Sequence, residues 1–345
     1  MRFPLWRGTA AFVLAAGLAA CSSPAGSGLY PGASAPMLAH ALAPAAVKVT
    51  LFNMPMTQTD PVDIALGANG YLYATQTIGT PLSYLWRVSE TGDISKIKPS
   101  LGYEGPVGIT GANGVVYFGR PSSGGWELLS YANGKLKSLG GAAVNGIYYL
   151  KRAKDGSVWF TDPGDYQVGH IANGKATLYR APTQYCSPYG ITIGSDQNVW
   201  VAEQCPTTTS RIGRITPTGS WKEYVLPTKN EATTPGDGIT AGPDGNLWYT
   251  VAASRIGRIT TAGKIHEFTF PASDGGAYSI TVGNDKALWY TLQAGLKIGR
   301  MTTKGSATSY PLPSNNLQLT GICAGTGKTI WFTSVQSNQV GRLTY

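Results

Sequence analysis

Asp162, Glu203 and Asp237 are three carboxylates at matching places along this chain, and Tyr189 falls among them. Carboxylate oxygens of this kind can hold a divalent cation, and a phenol or carboxylate beside them can act as a base. Arg120, Asn145 and Tyr278 occupy equivalent places and add a cation, an amide and a second phenol. Two functions fit the set. A binding module would use it to hold a small polar ligand or a partner peptide. An enzyme would use Asp162, Glu203 and Asp237 as cation ligands, with Tyr189 or a carboxylate as base. A structural reading stands beside both, since Asp and Glu at loop starts often accept backbone N–H groups or pair with a residue such as Arg120. Histidine contributes little: His40, His170 and His266 are the only three, and no Cys/His spacing matches a zinc site.

The elements that position these residues follow from an internal repeat. Tyr73, Tyr117, Trp159, Trp200, Trp248, Trp289 and Trp331 recur roughly every forty residues, which indicates seven copies of one unit. The clearest copy, GDGITAGPDGNLWYTVAASRIGRITTAGKIHEFTFP from Gly236 to Pro271, divides into four short strands. Its segments are rich in Ile, Thr, Tyr, Trp and Phe, and the turns between them hold Pro-Asp-Gly-Asn and Thr-Ala-Gly-Lys. The second strand is large on both faces, so both faces must be covered. Small sheets stacked radially achieve this, and the expected fold is an all-β, seven-bladed propeller of four-stranded antiparallel blades. The last unit has only three strands. Val47 to Pro55 (VKVTLFNMP) resembles a fourth strand and is expected to complete it, removing an open edge.

In each unit, one position precedes the Gly-Ile of the inner strand and another ends the second strand. Both are expected to face one channel mouth. Asn145, Tyr189, Asp237 and Tyr278 are of the first kind, and Arg120, Asp162 and Glu203 of the second. The recurrent Ile-Gly-Arg on third strands (Arg211 and Arg214, Arg255 and Arg258, Lys297 and Arg300, Arg342) reads as a solvated basic rim that also keeps exposed edges from pairing, with a polyanion or headgroup site as the alternative.

The N-terminus reads as an address. Arg2 and Arg7 precede an apolar run that ends in Leu18-Ala19-Ala20-Cys21, which resembles a bacterial lipobox. Residues 1–20 are then a lipoprotein signal peptide, residues 21–46 a lipidated Cys21 and a flexible Ser/Ala/Pro/Gly tether, and residues 47–345 the propeller. The expected place is the bacterial cell envelope, on the outer membrane if the source is Gram-negative. The formal charge of +9 suggests nucleic acid, but the exported address and the spread of Lys and Arg around the repeat argue against it. Cys186 and Cys205 flank the first two strands of the fourth unit, so an oxidising compartment makes their disulfide plausible. Cys323 reads as a buried free thiol. A closed propeller is expected to be a monomer.

The units GITIGSDQNVWVAE, SRIGRITPTGSWKEYVLP, GITAGPDGNLWYT and SRIGRITTAGKIHEF resemble the streptogramin B lyase (virginiamycin B lyase) family over essentially residues 47–345. The resemblance implies a seven-bladed propeller and an Mg²⁺-dependent β-elimination that opens a cyclic ester without water. It places the catalytic groups at a His before the fifth blade's Gly-Ile-Thr, a Glu-x-His before the sixth blade's inner strand, and a Glu at the end of the sixth blade's second strand. Those places fall on Asp237, on Gly276 and Tyr278, and on Leu292, and none has the family's residue type. A binding protein is therefore the first expectation and a Mg²⁺-dependent lyase the alternative.

Overall fold

The computed structural model describes residues 47–57, 59–76, 83–97, 108–206, 209–227, 238–251 and 254–345. They form seven four-stranded antiparallel sheets, and in blades 1 to 6 the strands follow chain order outward from the hub. Blade 1 spans Pro61–Lys96, blade 2 Ile109–Ala142, blade 3 Leu150–Arg180 and blade 4 Ser187–Val225. Blade 5 spans Ile239–Thr269, blade 6 Ala277–Pro311 and blade 7 Leu319–Thr344. The strand Lys48–Asn53 pairs with Gln339–Thr344 over six residues and gives blade 7 its fourth strand. The only helical elements among the described residues are three single-turn 3₁₀ segments.

The repeat is legible in how each blade is packed. The second-strand Trp lies against an aromatic ring from the fourth strand: Trp159 on Tyr179, Trp200 on Tyr224, Trp248 on Phe268, Trp289 on Tyr310 and Trp331 on Phe52, at centroid distances of 5.3 to 5.7 Å. Arg214, Arg258, Arg300 and Arg342 lie over the same indoles at 5.6 to 5.9 Å. They are half-buried, so the expected solvated rim is corrected. Each Arg sits opposite its Trp in the ladder, and the π-face takes the cation. In blade 3 the opposite residue is His170, stacked on Trp159 at 4.4 Å. The turn before the second strand completes the arrangement: Asp196, Asp244 and Asp285 accept the indole N–H of Trp200, Trp248 and Trp289 at 3.0 to 3.1 Å.

The residue after each Trp points to the opposite face and packs on the preceding blade. Phe160, Tyr249, Tyr290 and Phe332 lie across the third-strand glycines Gly169, Gly257, Gly299 and Gly341, each within about 2 Å of where a Cβ would stand. The Gly of Ile-Gly-Arg is therefore the seat of that ring. Hydrophobic clusters bridge neighbouring blades, as where Trp248 of blade 5 meets Ile280, Leu288 and Tyr290 of blade 6. Cys323 is a free thiol on the inner strand of blade 7 and is half-buried.

Candidate functional site

The strand register identifies the true hub positions. Ile191 pairs with Val201, Ile239 with Tyr249, Ile280 with Tyr290 and Ile322 with Phe332, always one residue past the recurring Trp of the unit. In blade 3 the corresponding pair is Leu150 with Phe160. The Gly146-Ile147 step is thus not the inner-strand Gly-Ile. The hub position of blade 3 is Tyr148, and Asn145 lies outside the inner strand, exposed, as a correction to the motif-based alignment. Val62, Tyr148, Tyr189, Tyr278 and Thr320 hold this position in their blades, while Val107 and Asp237 fall outside the described residues.

Convergence at the axis shows in the electrostatics. Beyond burial, the phenol of Tyr148 raises the proton affinity of Tyr189 on the adjacent blade, and Tyr189 acts likewise on Tyr278, two blades further round. Burial is the larger cause in each, and a hydrogen bond with Tyr149 of blade 3 opposes the rise at Tyr278. Only a shared hub brings blades 3, 4 and 6 so close. Asp63 is nearby but structural: its carboxylate accepts from the backbone N–H of Ile64 at 2.8 Å and of Ile109 at 3.0 Å, tying blade 1 to blade 2.

The second-strand ends lie elsewhere. Gln76, Asp162, Glu203, Val251, Leu292 and Ser334 are all buried between blades. Asp162 shares a face with Phe160 and looks toward blade 2. Its Oδ2 accepts from Gln167 Nε2 at 2.9 Å and from the Asn145 N–H at 3.3 Å, and its Oδ1 has no hydrogen-bond partner. Burial, aided by the charge of Asp165, pushes its pKa up, against the bond from Gln167. Glu203 shares a face with Val201 and looks toward blade 3. Its Oε1 accepts from Trp221 Nε1 at 3.1 Å, and Oε2 has no partner. Burial first, then the neighbouring Glu223, holds its carboxyl well above the usual range. Glu223 is in turn held by the Thr183 N–H at 3.0 Å and by Arg211 at 3.4 Å. Arg120 is committed to Glu127 at 2.7 Å.

This layout bears on the cation that the family resemblance implies. The sheet of blade 3 separates the carboxylates of Asp162 and Glu203, so they cannot share an ion. No three His, Cys, Asp or Glu side chains converge among the described residues. These side chains do not fit an Mg²⁺ centre.

Sequence reasoning missed two residues at this side of the mouth. Tyr166 follows the turn Pro163–Asp165, and Tyr185 precedes Cys186 in the link from blade 3 to blade 4. Their rings meet edge to face at 5.7 Å. Neither belongs to a repeated strand, so the period gave no signal; the signal was the density of tyrosines between Tyr148 and Tyr189. Cys186 and Cys205 form the expected disulfide beside them.

A ring of seven four-stranded antiparallel sheets defines a seven-bladed β-propeller. The sequence profile of the virginiamycin B lyase family matches residues 43–208 and 205–345, and the chain belongs to that family. It is similar to a solved streptogramin B lyase, at 27% identity and a TM-score of 0.73, covering 86% of this chain and 97% of that one. It is also similar to a catalytically inactive His-to-Ala variant of virginiamycin B lyase from Staphylococcus aureus, solved with quinupristin: 28% identity, TM-score 0.74, 87% of this chain and 100% of that one. The WD40 propeller domain of Doa1, at 12% identity and a TM-score of 0.67 over 87% of this chain and 97% of that one, shares the fold alone. No curated protein sequence matches the chain.

Proposed function

We propose that the chain is a lipid-anchored, extracytoplasmic binding protein of the virginiamycin B lyase family, whose channel mouth takes a small polar ligand or partner instead of linearising streptogramins. One observation carries this reading. Replacing a single His by Ala accompanies inactivity in the S. aureus lyase, and neither described histidine here is near the hub. His170 lies on a third strand against Trp159, and His266 on a fourth strand against Phe268. Leu292, at the place of a family carboxylate, is a buried apolar side chain. The Cys186–Cys205 disulfide agrees with an oxidising compartment, as expected if Cys21 is an exported lipid anchor. Family membership by itself would imply Mg²⁺-dependent β-elimination, and fold membership does not carry activity.

Incubation with quinupristin and Mg²⁺, followed by mass spectrometry, separates the two. Linearisation adds no mass because no water is consumed, so the ring-opened product is read by its retention time and fragmentation. The expected result is intact cyclic antibiotic after prolonged incubation. Accumulation of the linear product restores the lyase reading.

A further inference from the structure

Charge is divided unequally between the two ends of the propeller. In each blade the turns from first to second strand, and from third to fourth, lie at the end opposite the mouth. On the mouth side Arg120, Arg211, Arg255 and Lys297 are held by Glu127, Glu223, Glu267 and Asp274. At the far end of blades 5 to 7, Lys264, Lys286, Lys304 and Lys328 stand in those turns, and all four are exposed. Among the described residues none of the four is in an ion pair. Asp244 and Asp285 are the acids of the same turns, and both serve their own blades. They accept the indole N–H of Trp248 and Trp289 at 3.0 Å, and Asp285 also accepts from Arg300 at 2.7 Å. The arc ends at blade 1, whose far turn carries the exposed Glu90 and Asp93.

The turns that carry these lysines are braced against one another. Asn284, two residues before Lys286, donates its Nδ2 to the main-chain oxygens of Gly325 and Gly327 at 2.9 and 2.7 Å, in the turn of Lys328. Gly305, next to Lys304, seats the ring of Phe268 from blade 5, which lies 2.3 Å from where a Cβ would stand. The ammonium groups therefore stand on a firm face that spans three blades. Exposed lysines without carboxylate partners, spread over such a face, suit a broad anionic surface more than a single small anion. The chain also enters the propeller here. Lys48, exposed and first in the strand Lys48–Asn53, pairs with Thr344, which pairs in turn with Thr329 beside Lys328. A tether from Cys21 thus meets the propeller at its lysine end, opposite the mouth.

We propose that Lys264, Lys286, Lys304 and Lys328 form a docking face for the anionic headgroups of a lipid bilayer, which seats the propeller with its mouth turned away from the membrane. The face stands on its own charges; its biological setting rests on the reading of Cys21 as a lipid anchor. The test is co-sedimentation of the purified full chain carrying Cys21→Ser, which cannot be acylated there. The probes are vesicles of phosphatidylcholine alone and of phosphatidylcholine with about 30% phosphatidylglycerol. Neutral vesicles record whatever the apolar run of residues 9–20 contributes. Anionic vesicles are expected to bind about tenfold or more tightly than neutral ones at about 0.05 M salt, and to lose that margin at about 0.5 M. Replacing all four lysines by Gln should weaken the anionic binding by about tenfold or more and leave the thermal midpoint nearly unchanged, because each side chain is exposed. Lys135→Gln with Lys175→Gln, at the far ends of blades 2 and 3, should lose much less. A margin that survives the fourfold substitution, or that falls equally in the twofold one, overturns the arc. Absence of any preference for anionic vesicles overturns the proposal too, even where the chain binds a soluble polyanion such as dextran sulfate. The anchor reading is decided separately, by the mass of the Cys21 peptide from native membranes.

Discussion

At Gly257 a Cβ would stand 2.0 Å from Cζ of Tyr249, a fully buried ring. Gly257→Ala must therefore displace that ring or the strand beneath it. Overpacking of this kind costs about 1–3 kcal/mol, and urea unfolding should show the loss. Gly124→Ala, where nothing lies within 4 Å, should stay within about 0.5 kcal/mol; equal losses at the two sites would refute the seat. The Ile-Gly-Arg triplet was conspicuous in the sequence, but its meaning was not, because neither the ring over the Gly nor the indole under the Arg is adjacent in the chain. Glu203 sets a second residue-scale expectation. Its carboxyl is raised by burial and by Glu223 from an ordinary value of 4.5. Below about pH 4.5 it is protonated whether the chain is folded or not. As pH rises from there toward the folded pKa, the unfolded chain releases a proton that the folded one keeps, and stability falls. Glu203→Gln removes this titration and can still accept from Trp221. The stability of the wild type relative to the variant should decline from about pH 4.5 upward and level off once the folded pKa is passed. A difference flat in pH across unfolding titrations contradicts the assigned ionisation.

Blade 4 differs from its neighbours by one covalent link. Cys186 and Cys205 are 19 residues apart in sequence, and closing such a loop stabilises by about 3 kcal/mol in the chain-entropy model. The double substitution Cys186→Ala, Cys205→Ala should lower the guanidinium unfolding free energy by that order, and no change would mean the reduced chain is already confined there. Arg211 also loses partners in this variant, since its Nη1 donates to Cys205 Sγ at 3.3 Å, though it keeps the Thr209 carbonyl at 2.8 Å. The disulfide was readable from strand order because both cysteines flank the same hairpin. The register of blade 3 was not. Gly146-Ile147 imitates the inner-strand motif, yet the ladder begins at Leu150, and Gly146 serves to seat the ring of Tyr148. Motif alignment therefore put Asn145 where the structure has Tyr148. The second-strand ends were misplaced for a related reason. A strand's last residue still alternates between sheet faces, so Asp162 and Glu203 turn into the clefts between blades and not along the axis.

The ring is uneven, and the sequence showed this early: Trp marks units three to seven, while Tyr73 and Tyr117 mark units one and two. In blades 4 to 7 the second-strand Trp is fully buried, and its strand makes five or six pairings with the third. Among the described residues, blade 1 pairs its second and third strands, and its third and fourth, over three residues each. Every sheet relies on its neighbours to cover its faces, so the ring cannot lose a blade freely. A blade's outer strands can still open locally wherever few ladder bonds hold them. Native-state hydrogen exchange should therefore show a gradient around the molecule. Amides of Val199–Gln204, Leu247–Val251 and Leu288–Leu292 are expected to exchange slowest, and those of Trp86–Val88 and Ile94–Lys96 first. If blade 1 is protected as strongly as blade 6, opening is global, and the contacts between sheets dominate the pairing within them. If the gradient holds, blades 4 to 6, with the Cys186–Cys205 disulfide of blade 4, form the stable arc of the ring, and opening begins at the outer strands of blade 1.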